Sequence, residues 1–258
     1  MDIRMIVAAH KEYWMPQDPL YLPVQVGAAG KEPIRSGWVR DDTGDHISGK
    51  NPTFCELTGL YWAWKNLDAD AYGLCHYRRY MGRRGSRRKT EQRLLNREEI
   101  EGMLKEHDMI LPRKRHYWIE TRESQYAHAH HPEDLRCVEA ILTEKYPAYL
   151  PAWRHMLHTR SGHICNMFVM PGRLFQTYCE WLFDILFEAE RRLQIESYSA
   201  KDRRVFGYLG ERLLDVWIEQ NGLTYAEVPV VNLEKQHWLR KGAAFLKRKM
   251  KKGNGNGT

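Results

Sequence analysis

Residues 71–81, AYGLCHYRRYM, set His76, Tyr77, Arg78, Arg79 and Tyr80 directly behind a short apolar run at 72–75. A run that stops on two guanidiniums and an imidazole reads as a strand end facing an anion. Arginine presents a rigid fork of donors that fits phosphate, and ligands of open α/β sheets bind at strand ends. A second apolar run, residues 2–9, ends in His10 and Lys11. The alternative for such stretches is a basic turn on the surface.

Other residue types carry weaker signals. Asn166 lies inside an apolar run, 164–170, where an interior amide must find partners. It reads either as a satisfied sheet-edge residue or as a hydroxyl contact at a strand end. Glu211 lies in FGYLGERLL. On a helical wheel the apolar stripe is Val205, Leu209, Leu213, Val216 and Trp217. Glu211 falls nearly opposite it and faces water or a cleft, whereas Arg212 borders it. Asp41, Asp42 and Asp45 form a D-D-x-x-D set whose oxygens suit a divalent cation, but Asp and Gly together also suit turns, and the turn is favoured. His128, His130 and His131 lack the i, i+4 spacing of a helical metal pair and have no Cys partner, so they read as surface histidines. A divalent metal is therefore possible but not favoured. No dinucleotide, Walker, zincin or nucleophile-elbow motif occurs.

These groups need elements to position them. Residues 2–9 and 22–27 read as strands, and 37–49 as a polar loop. Asn51-Pro52 opens a helix to about residue 66, with Leu57, Leu60, Tyr61 and Trp64 at helical spacing. Strand 72–75 follows. Asn96 with Glu99 is a capping box for a helix that buries Ile100, Met103 and Leu104, and strand 108–111 comes next. The order β-β-α-β-α-β predicts an α/β layer with parallel strands, in which 2–9, 72–75 and 108–111 are neighbours. Beyond it the pattern predicts helices at 132–146, 148–159, 172–193 and 203–220, and strands at 163–170 and 224–232.

Length and composition bound the rest. The chain has 258 residues, of which 43% are hydrophobic, enough for a sizeable core. Five cysteines without a C-x-x-C pair fit reduced thiols in a cytoplasmic protein. The first residues, MDIRMIVAAH, are too polar for a signal peptide, and no apolar run is long enough to span a membrane. The net charge of +7 is concentrated in residues 83–93 and 240–252. The second run mixes its cations with Phe245, Leu246 and Met250 and directly follows Trp238 and Leu239, which suits a helix lying on an anionic membrane surface. A single domain over 1–235 and a basic, partly low-complexity tail over 236–258 are expected.

Several blocks together resemble a bacterial family of capsular and exopolysaccharide biosynthesis proteins, domain of unknown function 4422, which has glycosyltransferase members. They are AAHKEYWMP, YLPVQVG, DDTGDHISGKNPTFCELTGLYWAWKN, YGLCHYRRY, CNMFVM, RVFGYLGERLLDVWI and VPVVNLE, spread over residues 3–235. This chain has His46 where the family usually carries Asn. The resemblance implies a GT-A-like fold, a mostly parallel sheet flanked by helices with a helix-rich C-terminal half. It also implies transfer of a sugar, galactofuranose or galactose, from a nucleotide-diphosphate donor such as a UDP-sugar to a lipid-linked glycan at the inner face of the cell membrane. GT-A transferases usually hold a metal with acidic residues after the strand that here ends in Arg78 and Arg79; cations at that place suit a diphosphate without one. On this reading Arg78 and Arg79 stabilise the leaving diphosphate, and His10, Lys11, Asp45, Asn51, His76 and Tyr77 bind the donor. Asn166 and Arg212 meet the acceptor. Glu211 is the general base of an inverting transfer, with room for substrate beside Gly207 and Gly210 and with Asp202 and Asp45 in reserve. The alternatives are a nucleic-acid-binding protein, against which the absence of a binding motif counts, and an inactive scaffold of glycan assembly.

Overall fold

The computed structural model of the chain describes residues 1–83 and 90–234. In chain order its elements are β1 (Ile3–Ala9), β2 (Tyr21–Gln25), β3 (Val39–Arg40), α1 (Asn51–Phe54), α2 (Leu57–Asn66), β4 (Ala71–His76), β5 (Arg79–Met81), α3 (Arg97–Glu106), β6 (Met109–Pro112) and β7 (Arg115–His116). They continue with α4 (Arg122–Ala129), α5 (Pro132–Lys145), α6 (Leu150–His158), β8 (Ser161–Gly162), β9 (Phe168–Pro171), α7 (Gly172–Arg192), α8 (Val205–Gln220), β10 (Tyr225–Val228) and β11 (Val230–Asn232).

The main sheet runs β10-β6-β9-β4-β1-β2-β3, and β5 pairs with both β4 and β11. Strands β4, β1, β2 and β3 are mutually parallel. This is the expected GT-A-like α/β fold, with a helix-rich C-terminal half. One expectation fails. Strand β6 is not a neighbour of β4, because β9 lies between them and runs antiparallel to both. An apolar run carries no mark of its direction or its partner, so sequence order suggested the wrong adjacency. Since β9 opposes both, β4 and β6 still point the same way, and the carboxyl ends of β1, β4 and β6 share one edge.

Alternate residues of each strand enter opposite cores, as the two-residue pleat requires. Ile6, Ala8, Tyr72, Leu74, Met109, Leu111, Phe168 and Met170 meet buried residues of α1, α2 and α4 to α8. Met5, Val7, Ala9, Cys75, Ile110 and Val169 meet α3, through Ile100, and the segments around Met15 and Leu94. A sheet covered on both sides reads as unbroken apolar runs rather than an alternation. The cover is lopsided: α3 is the sole helix on its side among the described residues.

Helix boundaries shifted where backbone geometry intervened. The expected helix over 51–66 breaks at Cys55, whose φ is 54°, and restarts as α2. Asn51 is the first helical residue rather than a cap. The capping box of Asn96 and Glu99 forms as expected. The expected strand over 163–170 is a loop as far as Met167, because Cys165 (φ 73°) and Asn166 (φ 50°) leave the β region. Pro229 splits the expected strand 224–232 into β10 and β11. The basic run 240–252 and residues 84–89 of the other basic run lie outside the described residues. No described helix is long and apolar enough to cross a membrane.

Candidate active site

The cations converge at the shared carboxyl edge. Tyr77, only 5% exposed, is the hub. The His10 ring meets its edge at 5.1 Å between centroids, and the charges of Lys11 and Arg78 lie 5.5 and 5.4 Å from its centre. Burial, and then the charges of Lys11, Arg78, Arg204 and Lys31, lower the His10 pKa, so this imidazole is neutral in a positive field. Arg78 donates to Glu234 at 3.1 Å, a pair exposed enough to stabilise by less than about 1 kcal/mol and thus open to displacement by a stronger anion. Arg79 sits on β5 between His76 and Asn232 and has no ion pair among the described residues.

Two carboxylates, Glu211 and Glu56, lie near the end of β4. Glu211 accepts from the backbone N–H of Cys165 at 2.8 Å and keeps 23% of its side chain exposed. Burial raises its pKa above the ordinary carboxylate value; Arg212 opposes this, and the Glu56 carboxylate reinforces it. Glu56 precedes α2 and is 10% exposed. It accepts from Asn166 Nδ2 at 2.8 Å and lies 3.9 Å from His76 Nε2. His76 Nε2 also lies 2.6 Å from the Cys165 carbonyl oxygen, which binds the end of β4 to the loop before β9. The left-handed backbone at Cys165 and Asn166 aims one N–H at Glu211 and one amide at Glu56 from adjacent residues.

Helix α8 carries several of these groups. Arg204, its N-cap, donates from Nε to Cys55 Sγ at 3.1 Å and has no ion pair among the described residues. Burial, then Glu56, pushes the Cys55 thiol up to about 11, so the sulfur stays neutral. Tyr208, one turn on, stacks on His130 at 4.1 Å. His130 lies 3.0 Å from Asp202, and burial lowers its pKa to about 4, against the pull of that carboxylate. Two turns beyond Arg204 comes Glu211, and one turn further Asp215. Asp215 binds the buried Arg122 and accepts from the backbone N–H of His163 at 3.1 Å, and its other oxygen lies 2.5 Å from His163 Nδ1. That network fixes the start of the loop whose next residues present Cys165 and Asn166.

Several predicted site residues fall elsewhere. Tyr77 is covered by the cations and serves as their support. Asn166 is 1% exposed and spends its amide on Glu56 and the Gly207 carbonyl, and Arg212 is 5% exposed and donates to Tyr208 O and Gln125. Neither reaches a surface that an acceptor can touch; both position neighbours of Glu211. The room beside Gly207 and Gly210 is taken by protein, since an added Cβ would meet Cys55 Sγ at 3.2 Å and Asn166 Oδ1 at 3.0 Å. Asn51 donates to the Cys55 carbonyl at 2.7 Å and packs on Gly27, so it shapes the bend at the start of α2 rather than binding a donor.

Asp45 is bound to Tyr61 and Asn66 and so lies beside the middle and far end of α2, away from Glu56. Asp41 is fully buried and accepts from Gly27 N, Ala28 N, Ser48 Oγ and Thr58 Oγ1, so the D-D-x-x-D stretch is a loop clasp, as the turn reading has it. His46 is exposed and accepts from Ser48 N at 3.3 Å. His128 pairs with Glu120, away from His130 and His131, which both lie against Asp202, and His131 also stacks on Tyr198. No group of three His, Cys, Asp or Glu side chains among the described residues is arranged for a metal. Glu56 and Arg204 escaped the sequence reading. The first was hidden by treating 51–66 as one helix, and the second sat among three charged neighbours with nothing to single it out.

The profile of a family described as a domain of unknown function (DUF4422) matches residues 4–222. No curated protein matches the chain. Among solved structures, the apo form of the bifunctional glycosyltransferase WbbM is similar, with a TM-score of 0.84 and 30% identity over 91% of this chain. The chain spans 46% of that protein's length.

Proposed function

Because the chain belongs to the domain of unknown function 4422 family, we propose that it is a glycosyltransferase that moves a sugar, galactofuranose or galactose, from a nucleotide-diphosphate donor to a growing capsular or exopolysaccharide glycan. The observation that carries this reading is the gathering of Lys11, Arg78 and Arg79 at the carboxyl edge of the sheet, near a carboxylate, Glu211, whose pKa is raised. Likeness to a solved glycosyltransferase supports it.

The donor, a UDP-sugar, lies with its diphosphate toward Lys11, Arg78, Arg79 and Arg204. The acceptor hydroxyl attacks the anomeric carbon from the side of Glu211, and its proton passes to that carboxylate. The bond from the anomeric carbon to the diphosphate oxygen breaks, its electron pair stays on that oxygen, and the configuration inverts. Fixed cations placed where this charge develops need no reorganisation. A base whose pKa is raised toward the working pH accepts the proton with more driving force. Glu56 acts on Glu211 through its charge and keeps Asn166, and through it the loop, in place. The acceptor is a lipid-linked glycan at the cytoplasmic membrane face.

Mass-spectrometric screening of nucleotide sugars tests the proposal. Hydrolysis or transfer from one donor class supports it. Absence of both, together with absence of nucleotide-diphosphate binding by calorimetry, overturns it in favour of a scaffold. Salt-sensitive binding of nucleic acid without donor hydrolysis would move the function there.

A further inference from the structure

Large apolar side chains are seldom left in water without a reason when they cluster beside cations. Four in the described chain are notably exposed: Met1, Trp14, Trp118 and Ile119. Met1 precedes β1. The other three follow the carboxyl ends of β1 and β6, on the edge that carries the cations. Trp118 is 83% exposed and Ile119 58%, side by side at the tip of the loop after β6. The loop is built rather than loose. Its stalk is the β7–β8 pair, with Arg115 opposite Gly162 and His116 opposite Ser161. Arg113 N donates to Val228 O at 2.9 Å and Tyr117 N to Arg160 O at 2.8 Å. Its far end is anchored by the buried Arg122 on Asp215. Trp118 has a φ of 57°, a conformation that bulky residues rarely adopt, and it carries the ring outward rather than into the core.

Charge around the tip is mostly positive, and of the nearest exposed acids, Glu123 and Glu227, the second is held by Lys114 N and His163. Arg113, Arg115 and Arg160 are exposed and have no ion pair among the described residues, and His116 stands beside them. The loop's one acid, Glu120, is occupied by His128 at 2.7 Å. An aromatic and an aliphatic tip ringed by unpaired arginines matches the boundary of an anionic bilayer, where Trp sits at headgroup depth and guanidiniums meet phosphates.

We infer that the 113–119 loop docks the carboxyl-end face of the sheet on anionic phospholipid, with Trp118 and Ile119 entering the headgroup–acyl boundary and Arg113, Arg115 and Arg160 on lipid phosphates. The candidate site then faces the membrane. The inference stands on exposure and charge and does not depend on the activity proposed above.

The test is partitioning of the full chain onto phosphatidylcholine vesicles with and without phosphatidylglycerol. Trp118→Ala/Ile119→Ser weakens partitioning onto the anionic vesicles by at least about tenfold, equivalent to about 1.4 kcal/mol. Arg113→Gln/Arg115→Gln removes roughly fivefold per arginine from the preference for anionic over neutral vesicles. These side chains contribute little to the core, so an unchanged thermal midpoint confirms that both variants are folded. Wild-type partitioning by both variants overturns the inference. Unchanged partitioning with weaker binding of a soluble acceptor glycan also overturns it, and assigns Trp118 to sugar stacking. Vesicle partitioning is read without turnover, so an inactive protein would leave this result standing.

Discussion

Replacing Glu211 with Gln should make the protein slower and no less stable, and the two effects have separate causes. The carboxyl is raised above its ordinary pKa chiefly by burial and further by Glu56. A carboxyl raised in the folded state stabilises the fold below its unfolded pKa, and that contribution is lost as pH rises through the folded value. Ionising Glu211 in the folded chain thus carries a cost that Gln does not bear. The hydrogen bond from Cys165 N, 2.8 Å long, survives because the amide oxygen still accepts. Each kcal/mol of relief raises the thermal midpoint by about 2–4 °C for a chain of this size. Turnover should fall by about 10²–10⁴-fold, or roughly 3–5 kcal/mol in barrier, with donor affinity little changed. The assays are steady-state kinetics with the true acceptor and thermal unfolding from pH 4 to 8. The midpoint difference between variant and wild type should grow toward the alkaline end. A variant that unfolds several degrees earlier at pH 8, yet turns over within about threefold of wild type, would refute both the electrostatic argument and the role of base.

Further outcomes follow from other groups. Arg79→Lys keeps the charge but loses the bidentate fork, and should weaken nucleotide-diphosphate binding by roughly tenfold in calorimetry; unchanged affinity would remove Arg79 from the donor site. Arg78→Lys should lose less, since that side chain is 37% exposed and shared with Glu234. Asp41→Ala strands the buried donors Gly27 N, Ala28 N and Ser48 Oγ and should destabilise by about 3–5 kcal/mol, a midpoint loss on the order of 10 °C, while an intact midpoint would contradict the clasp. His130, with its pKa lowered to about 4, contributes stability present above about pH 6.5 and lost as pH falls toward 4. His130→Gln should flatten that part of the urea-midpoint profile, and a profile parallel to wild type would assign the acid loss to other groups.

How much of this was legible in the sequence differs by level. The apolar runs gave the strands because a doubly covered sheet leaves continuous hydrophobic stretches, and the capping box at Asn96 marked α3 at its first residue. The cationic ends of β1 and β4 were visible because charge at the end of an apolar run is a local signal. Partnership was not local. Nothing in Phe168–Pro171 announces that it slips antiparallel between β4 and β6. The left-handed turns at Cys55, Cys165 and Asn166 are imposed by tertiary contacts on residue types that do not advertise them. Glu56, Asn166 and Glu211 therefore looked like a helix surface, a strand interior and a helix surface. The wheel did place Glu211 off the core, and that was enough to bring it forward. It could not show that Gly207 and Gly210 make room for Cys55 and Asn166 rather than for substrate.

Arg204, Tyr208, Glu211 and Asp215 lie one above another along α8, and each touches a different part of the chain: the Cys55 bend, His130, the Cys165 loop and the Arg122 network. This alignment makes the helix tolerant of substitution and intolerant of insertion. A changed side chain perturbs one of the four contacts. One added residue near the start of α8 would turn Arg204 and what precedes it by about 100° relative to the rest. The Arg204 guanidinium would then swing away while the Glu211 carboxylate stayed. A length change of a single residue would thus separate the two halves of the site without removing any of its groups.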